Sequence, residues 1–245
     1  MSFISAKNIW KIYGDDIILE NVNFSMEEGE FCTLVGPSGC GKTTFLRMLL
    51  GVETQSKGRL FFEGEDYPTE PSDERGIVFQ RYSTLSHLNV IDNVAIGLEF
   101  EKSKFFGKLF GKEKKKAYEK ADEILKAVGL QDSRTKFPHE LSGGMKQRLS
   151  IAQSLVKQPK LLLLDEPFGA LDPGISADMH ELLMDIHKKL NFAVVMVTHD
   201  IGEAFKLGTR VLVFDKVKVD KQNPNKYGST IVNDIDSSKE RNSEK

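Results

Sequence analysis

Short apolar runs alternate along the chain with segments whose apolar residues recur at steps of three and four. The runs FCTLVG (31–36), GRLFFEG (58–64), GIVFQ (76–80), KLLLLD (160–165), FAVVMVT (192–198) and RVLVFD (210–215) predict strands. Several are almost continuously apolar, as strands buried on both faces of a sheet must be. Ala117, Ala121, Ile124, Leu125 and Val128 share one face of a predicted helix. Ile175, Met179, Leu182, Leu183, Ile186 and Leu190 share a face of another. Between about 86 and 158 the pattern is helical without a strand, so a helical part is expected inside an α/β unit.

Composition narrows the class. Hydrophobic residues make up 40% of the 245 and charged residues 29%, enough of each for a globular fold with a sizeable core. Lys plus Arg number 34 against 36 Asp plus Glu, a net charge of −2, so charge balance gives nucleic-acid binding no support. Cys32 and Cys40 alone cannot build a disulfide framework or a cysteine zinc site. No apolar run reaches the ~20 residues of a membrane span, and the N-terminus lacks the pattern of a secretory leader. The segment 101–116 carries seven lysines interleaved with Phe105, Phe106, Leu109 and Phe110. It is expected to be a solvated connector, with a membrane- or partner-facing role as the alternative. The polar stretch 236–245 is expected to be a frayed tail.

Gly36-Pro37-Ser38-Gly39-Cys40-Gly41-Lys42-Thr43-Thr44 fits G-x-x-x-x-G-K-[ST] between a predicted strand and an apolar helical run. Its glycines let successive backbone N–H groups converge on an anion at a helix N-terminus. Lys42 can reach β- and γ-phosphates, and the Thr43 hydroxyl can ligate Mg²⁺. The run 161–164 ends in Asp165 and Glu166. Asp165 is expected beside the phosphate loop as a Mg²⁺ ligand, and Glu166, on the other side of the pleat, as the base for an attacking water. No G-x-G-x-x-G fingerprint supports a dinucleotide site.

With Leu141-Ser142-Gly143-Gly144-Met145 added, the chain resembles the ATP-binding cassette (ABC) family over about 3–215. The matching motifs, in order, are Tyr13 in KIYG, the phosphate loop, Gln80 in GIVFQ, LSGGMKQR at 141–148, Asp165-Glu166 followed by ALDP at 170–173, and His199 in THD. The resemblance implies a P-loop NTPase core, mainly a parallel sheet with flanking helices, plus an antiparallel β part and an inserted helical subdomain. It implies one domain over 1–235, with the core at about 1–85 and 159–220 and the helical subdomain at 86–158. It further implies that ATP and Mg²⁺ are bound, with Tyr13 stacking on adenine. Ser142, Gly143 and Gly144 would serve nucleotide held by a second copy. Gln80 would ligate Mg²⁺ or water, and His199 would contact the γ-phosphate and orient Glu166.

FPHELSGGMKQR and LLLLDEPFGALD look like the branch that powers nitrate, sulfonate, taurine or bicarbonate import. The implied partners are a second ATPase subunit, membrane permease subunits and a solute-binding protein, at the cytoplasmic face of the membrane. The stretch 81–93, with Tyr82, Leu85 and Leu88, is the expected permease contact. Gln153 stands where many members carry Arg, and no further domain is expected after 215. Trp10 is expected in the core, and His87, His139, His180 and His187 as exposed or helix-face residues. A soluble ABC ATPase acting on DNA or ribosomes would carry tandem cassettes or a coiled-coil insertion. A P-loop phosphotransferase would have no use for LSGGM or His199.

Overall fold

A computed structural model describes residues 2–80, 83–102, 110–220, 222–223 and 225–237. Among these residues ten strands form one mixed sheet: β1 (Ile4–Tyr13), β2 (Asp16–Met26), β3 (Phe31–Val35), β4 (Lys57–Phe62), β5 (Glu65–Asp66), β6 (Arg75–Val78), β7 (Leu161–Asp165), β8 (Ala193–Val197), β9 (Arg210–Lys216) and β10 (Ser229–Asp236). Their order is β5-β4-β1-β2-β10-β9-β3-β8-β7-β6. The stretch β9-β3-β8-β7-β6 is parallel, and β5-β4-β1-β2 is antiparallel. β10 joins the two, antiparallel to β9 and parallel to β2.

Alternation along the parallel strands feeds two cores. Leu161 and Leu163 of β7 face α1 (Lys42–Leu50), packing with Phe45, Leu46 and Leu49. Leu162 and Leu164 point the other way, into a core shared with α2 (Val90–Lys102), α3 (Gly111–Ala127), α4 (Gly143–Leu155) and α5 (Pro173–Leu190). Burying both faces is why β7 reads as four consecutive leucines. The helical part is therefore not an independent globule, since it shares its hydrophobic interior with the sheet. α6 (Ile201–Leu207) follows β8 and packs on β3 and β9.

Several expectations need correction. β1, β2 and β10 were absent from the strand pattern, because β1 is bulged in three places against β2 and half of β10 is exposed. The C-terminal strand extends the core past 220. It also takes Asp236 out of the expected tail, and Ser237 is buried with its hydroxyl donating to the Gly208 carbonyl. The rest of that tail, 238–245, lies outside the described residues. Trp10 is only half-buried, with the Lys57 ammonium 5.4 Å from its ring centroid. Leu190, at the last turn of α5, is exposed rather than on the core face. In segment 101–116, residues 103–109 (with Phe105, Phe106 and Leu109) lie outside the described residues. Phe110 is exposed at the head of α3.

Candidate functional site

β3 and β7 are parallel neighbours of β8, so their C-terminal ends open at one edge of the sheet, where ligands of such sheets bind. From Val35 the chain turns through Gly36 (φ +146°), Gly39 (φ +80°) and Gly41 (φ +86°) into α1. A Cβ on Gly36 would lie 2.1 Å from the Phe214 carbonyl oxygen, so only glycine fits there. Tyr13, Ile18, residues 38–44 and Glu166 line a cavity of about 320 Å³.

The Lys42 side chain folds back on its own loop. Its ammonium donates to the carbonyls of Gly36 (2.7 Å) and Pro37 (2.9 Å) and lies 3.5 Å from the Cys40 sulfur. Gly36 and Pro37 thus hold the lysine rather than line the cavity. The Thr43 hydroxyl donates to Asp165 Oδ1 at 3.1 Å, joining the head of α1 to the end of β7. Burial raises the Asp165 pKa above the usual carboxylate range, against the lowering effect of the Thr43 bond.

Glu166 reaches the cavity by a different route from the pleat alternation expected. β7 ends at Asp165, and Glu166 adopts a left-handed backbone (φ +48°) with its N–H bonded to the Val197 carbonyl. That turn brings its carboxylate to the phosphate loop. Gln80 Nε2 donates to Glu166 Oε2 at 3.3 Å. In this state the Gln80 amide is thus on Glu166, not on the Thr43–Asp165 pair. His199 Nδ1 approaches the same oxygen at 3.6 Å, beyond hydrogen-bond reach.

Tyr13 is 46% exposed at the cavity wall, with the Lys11 ammonium 4.7 Å from its ring centroid. Lys11 pairs with Glu53 and donates to the Thr54 carbonyl at 2.7 Å. The ring is therefore backed on one side and open on the other. Partial burial and a bond to Glu53 raise the Tyr13 pKa.

Ser142, Gly143 and Gly144 do not line this cavity. Ser142 caps α4, its hydroxyl accepting the Met145 N–H at 3.3 Å. Ser142 and Gly143 are exposed, while Gly144 is buried where a Cβ would meet Ile175 at 2.6 Å. Gly144 therefore also serves the close approach of α4 to α5. In the stretch 81–93, Arg81 and Tyr82 lie outside the described residues. Leu85 and the neighbouring Phe79 are exposed. Asn93 is buried and bonds Leu85 N, Leu85 O, Leu88 O and Asn89 O, so it pins the loop from within α2. Gln153 donates to the Asn93 carbonyl at 3.2 Å.

Sequence reasoning missed Asn93, Lys11, Glu53 and a pair near His199, His180 with Glu203, whose side chains meet at 2.7 Å. For Asn93, His180 and Glu203 the available signal was a polar residue within a helical pattern; Lys11, on β1, and Glu53, after α1, carried none. His180 is buried on α5 and His187 half-buried, while His87 and His139 are exposed. Among the described residues no three His, Cys, Asp or Glu side chains gather as a metal cluster. No helix among them is long and apolar enough to cross a membrane.

A family model described as ABC transporter matches residues 19–169. The sulfate/thiosulfate import ATP-binding protein CysA of Neisseria meningitidis serogroup A is 40% identical over 220 residues, 89% of this chain and 60% of its own length. The spermidine/putrescine import ATP-binding protein PotA of Chromobacterium violaceum is 40% identical over 223 residues, 90% of this chain and 59% of its own. The chain thus spans about 60% of the length of such curated relatives. An ATP-binding cassette solved as a dimer in a post-hydrolysis state with ADP and Pi superimposes with a TM-score of 0.74, at 27% identity, covering 96% of this chain and 98% of that one. The cbiO1 structure from Clostridium perfringens, at 24% identity and a TM-score of 0.81, covers 99% of this chain and 92% of its own and shares its fold.

Proposed function

The chain belongs to the ABC transporter family, and on that premise we propose that it binds and hydrolyses ATP to drive import of a solute through separate permease subunits. The observation that carries the proposal is the Thr43–Asp165 hydrogen bond of 3.1 Å, with Glu166 lining the same cavity as the phosphate loop. That arrangement supports a reading in which the two carboxylates serve the cation and the attacking water beside the phosphates.

Tyr13 stacks on the base, its open face toward the cavity. The N–H groups of residues 38–44 and the Lys42 ammonium bind the phosphates once Lys42 releases the Gly36 and Pro37 carbonyls. Thr43 and Asp165 form a hard-oxygen pair that suits Mg²⁺, and the Gln80 amide oxygen would join them when its amide leaves Glu166. When bound, Mg²⁺ neutralises charge building on the phosphate oxygens. Glu166 takes the proton of the attacking water, and His199 steadies Glu166 and the γ-phosphate. Ser142 and Gly143, exposed at the head of α4, serve nucleotide on a second copy, which makes the working unit a dimer.

The exposed Leu85 and Phe79 are the permease contact, at the cytoplasmic face of the membrane. The relatives' names support import, with a solute-binding protein delivering cargo and nucleic acid playing no part. Motif resemblance favours the nitrate, sulfonate, taurine or bicarbonate branch, whereas the matched relatives are named for sulfate/thiosulfate and spermidine/putrescine. Relatives equally similar to this chain carry different cargo names, so the solute is assigned to the membrane and binding subunits.

Glu166→Gln tests the reading. The amide keeps its reach but cannot accept a proton, so turnover should fall by about 10²–10⁴ while ATP still binds. Light scattering with ATP and Mg²⁺ should then show a dimer. Parental turnover in a variant that stays monomeric would sink both the base and the shared site.

A further inference from the structure

The turn carrying His199 is held by side chains that the proposed reaction does not use. Thr198, just before it, donates its hydroxyl hydrogen to Glu203 Oε2 and accepts the Asp200 N–H at 3.1 Å. Asp200, just after it, accepts the Glu203 N–H at 3.0 Å and so caps α6. The other Glu203 oxygen lies 2.7 Å from His180 Nε2 on α5. A carboxylate only accepts, so Nε2 carries the hydrogen. The His180 and Glu203 side chains are 11% and 10% exposed. Among the described residues His180 Nδ1 is buried without a hydrogen-bond partner, so Glu203 is the polar tether of the ring there. The ring otherwise packs edge-on against Phe168, 5.0 Å between centroids.

His199 itself is 65% exposed and stands 3.6 Å from Glu166. With so little of the ring buried, its place beside Glu166 depends mainly on the backbone of the turn that carries it. A cavity of about 290 Å³, lined among others by Glu166, Gly169, His180, His199 and Glu203, separates the loop after β7 from the loop after β8. The backbone bond from the Glu166 N–H to the Val197 carbonyl joins the two loops where they leave the sheet. A side-chain tie runs along the cavity wall, from α5 through His180 and Glu203 to Thr198.

We infer that Glu203 and His180 are positioning residues for His199, locking the 198–200 turn to α5 and so setting the His199–Glu166 approach. The inference rests on the ATPase reading for its kinetic consequence, but the locking itself is independent of turnover. A misplacement near 1 Å at a reacting group can cost about 10²-fold in rate. Both Glu203 oxygens are engaged, so losing the carboxylate releases the Thr198 hydroxyl hydrogen and the His180 ring together, leaving the turn held by the Thr198 N–H bond to the Leu34 carbonyl.

The test uses Glu203→Ala, His180→Phe and His180→Gln in the full chain, each alone and combined with His199→Ala. Glu203→Ala and His180→Phe should lower kcat by about 10- to 100-fold with KM for ATP within about threefold, because a step is lost rather than binding. His180→Gln keeps a donor to Glu203 and should recover most of the loss. In the His199→Ala background the same changes should cost almost nothing more, since they act through a side chain already gone. Additive losses there would mean general damage and overturn the inference. Hydrogen exchange without nucleotide reads the lock directly. The Asp200 and Glu203 amides should exchange at least about tenfold faster in Glu203→Ala and His180→Phe, with β7 and β8 unchanged. Unchanged exchange at those amides refutes the positioning role even if activity falls. If the parent chain does not hydrolyse ATP, the ATPase reading fails, and the exchange result still decides the lock.

Discussion

Replacing Lys42 by Met tests the core of the phosphate site with numbers that can be worked from the structure. Met keeps most of the buried stem and removes the ammonium, which is bonded to the Gly36 and Pro37 carbonyls at 2.7 and 2.9 Å. On binding, that ammonium exchanges two neutral acceptors for charged phosphate oxygens. Hydrogen bonds to charged groups contribute about 1.5–3 kcal/mol each. The released bonds join the charged ammonium to neutral carbonyls, at the lower end of that range, and those to anionic phosphate oxygens lie at its upper end. Two exchanges therefore leave a net loss of ~3 kcal/mol in the variant, roughly 150-fold in Kd. At ATP one hundred times the parent Kd, the parent gains ~2.7 kcal/mol of stability and the variant only ~0.3 kcal/mol. For a chain of this size ~1 kcal/mol moves Tm by about 2–4 °C. The parent should therefore rise by about 5–11 °C on adding ATP, and the variant by about 1 °C. Thermal melts with and without nucleotide read this directly, and any effect on the empty chain cancels within each pair. A variant that keeps the parental shift would mean that Lys42 is not the phosphate cation.

Two further predictions concern stability. Asn93→Ala removes a side chain that bonds four backbone groups of the 85–89 loop, and should cost about 2–3 kcal/mol in urea unfolding. A change below ~0.5 kcal/mol would show that the loop holds without it. Burial beside Phe31 and Phe192 lowers the His187 pKa, although the Gly29 carbonyl accepts its Nε2–H at 3.0 Å. The unfolded chain then takes up the proton first. His187's stabilising contribution is whole above the unfolded value of about 6.5 and declines as pH falls from there through the lowered folded value. His187→Gln keeps a donor and cannot titrate, so between about pH 7.5 and pH 5 the parent should lose more Tm than the variant. Parallel losses would contradict the shift.

The parallel half of the sheet was legible because burial on both faces leaves no room for polar residues, as in Leu161–Leu164. β1 was not, since its burial alternates irregularly around bulges and Asn8 takes a positive φ (53°). β10 escaped because its middle, Asn233 to Asp234, is exposed and polar. The phosphate loop and the acids after β7 could be read because each motif is contiguous and chemically demanding. The left-handed turn at Glu166 could not, since nothing in Asp-Glu-Pro-Phe dictates it. Nor could the His180–Glu203 pair, whose members are 23 residues apart on different helices and meet only once α5 and α6 are placed on the sheet. The Asn93 pin is similar: an asparagine within an apolar helical pattern is an anomaly, but its acceptors are known only once the loop is placed.

β10 has one more consequence, for the order in which the molecule can assemble. During synthesis β1 and β2 emerge first, yet the strand beside β2 in the sheet is β10. The Gly228 N–H bond to Glu20 spans 208 residues. Until that segment leaves the ribosome, the edge of β2 at Leu19 has no neighbour, and the two halves of the sheet have no shared backbone ladder. Closing so long a loop delays the reward of the contact, and strand edges left open invite pairing with other chains. The nascent protein should therefore fold late, after release of residues 229–236, and be most prone to aggregate just before it does.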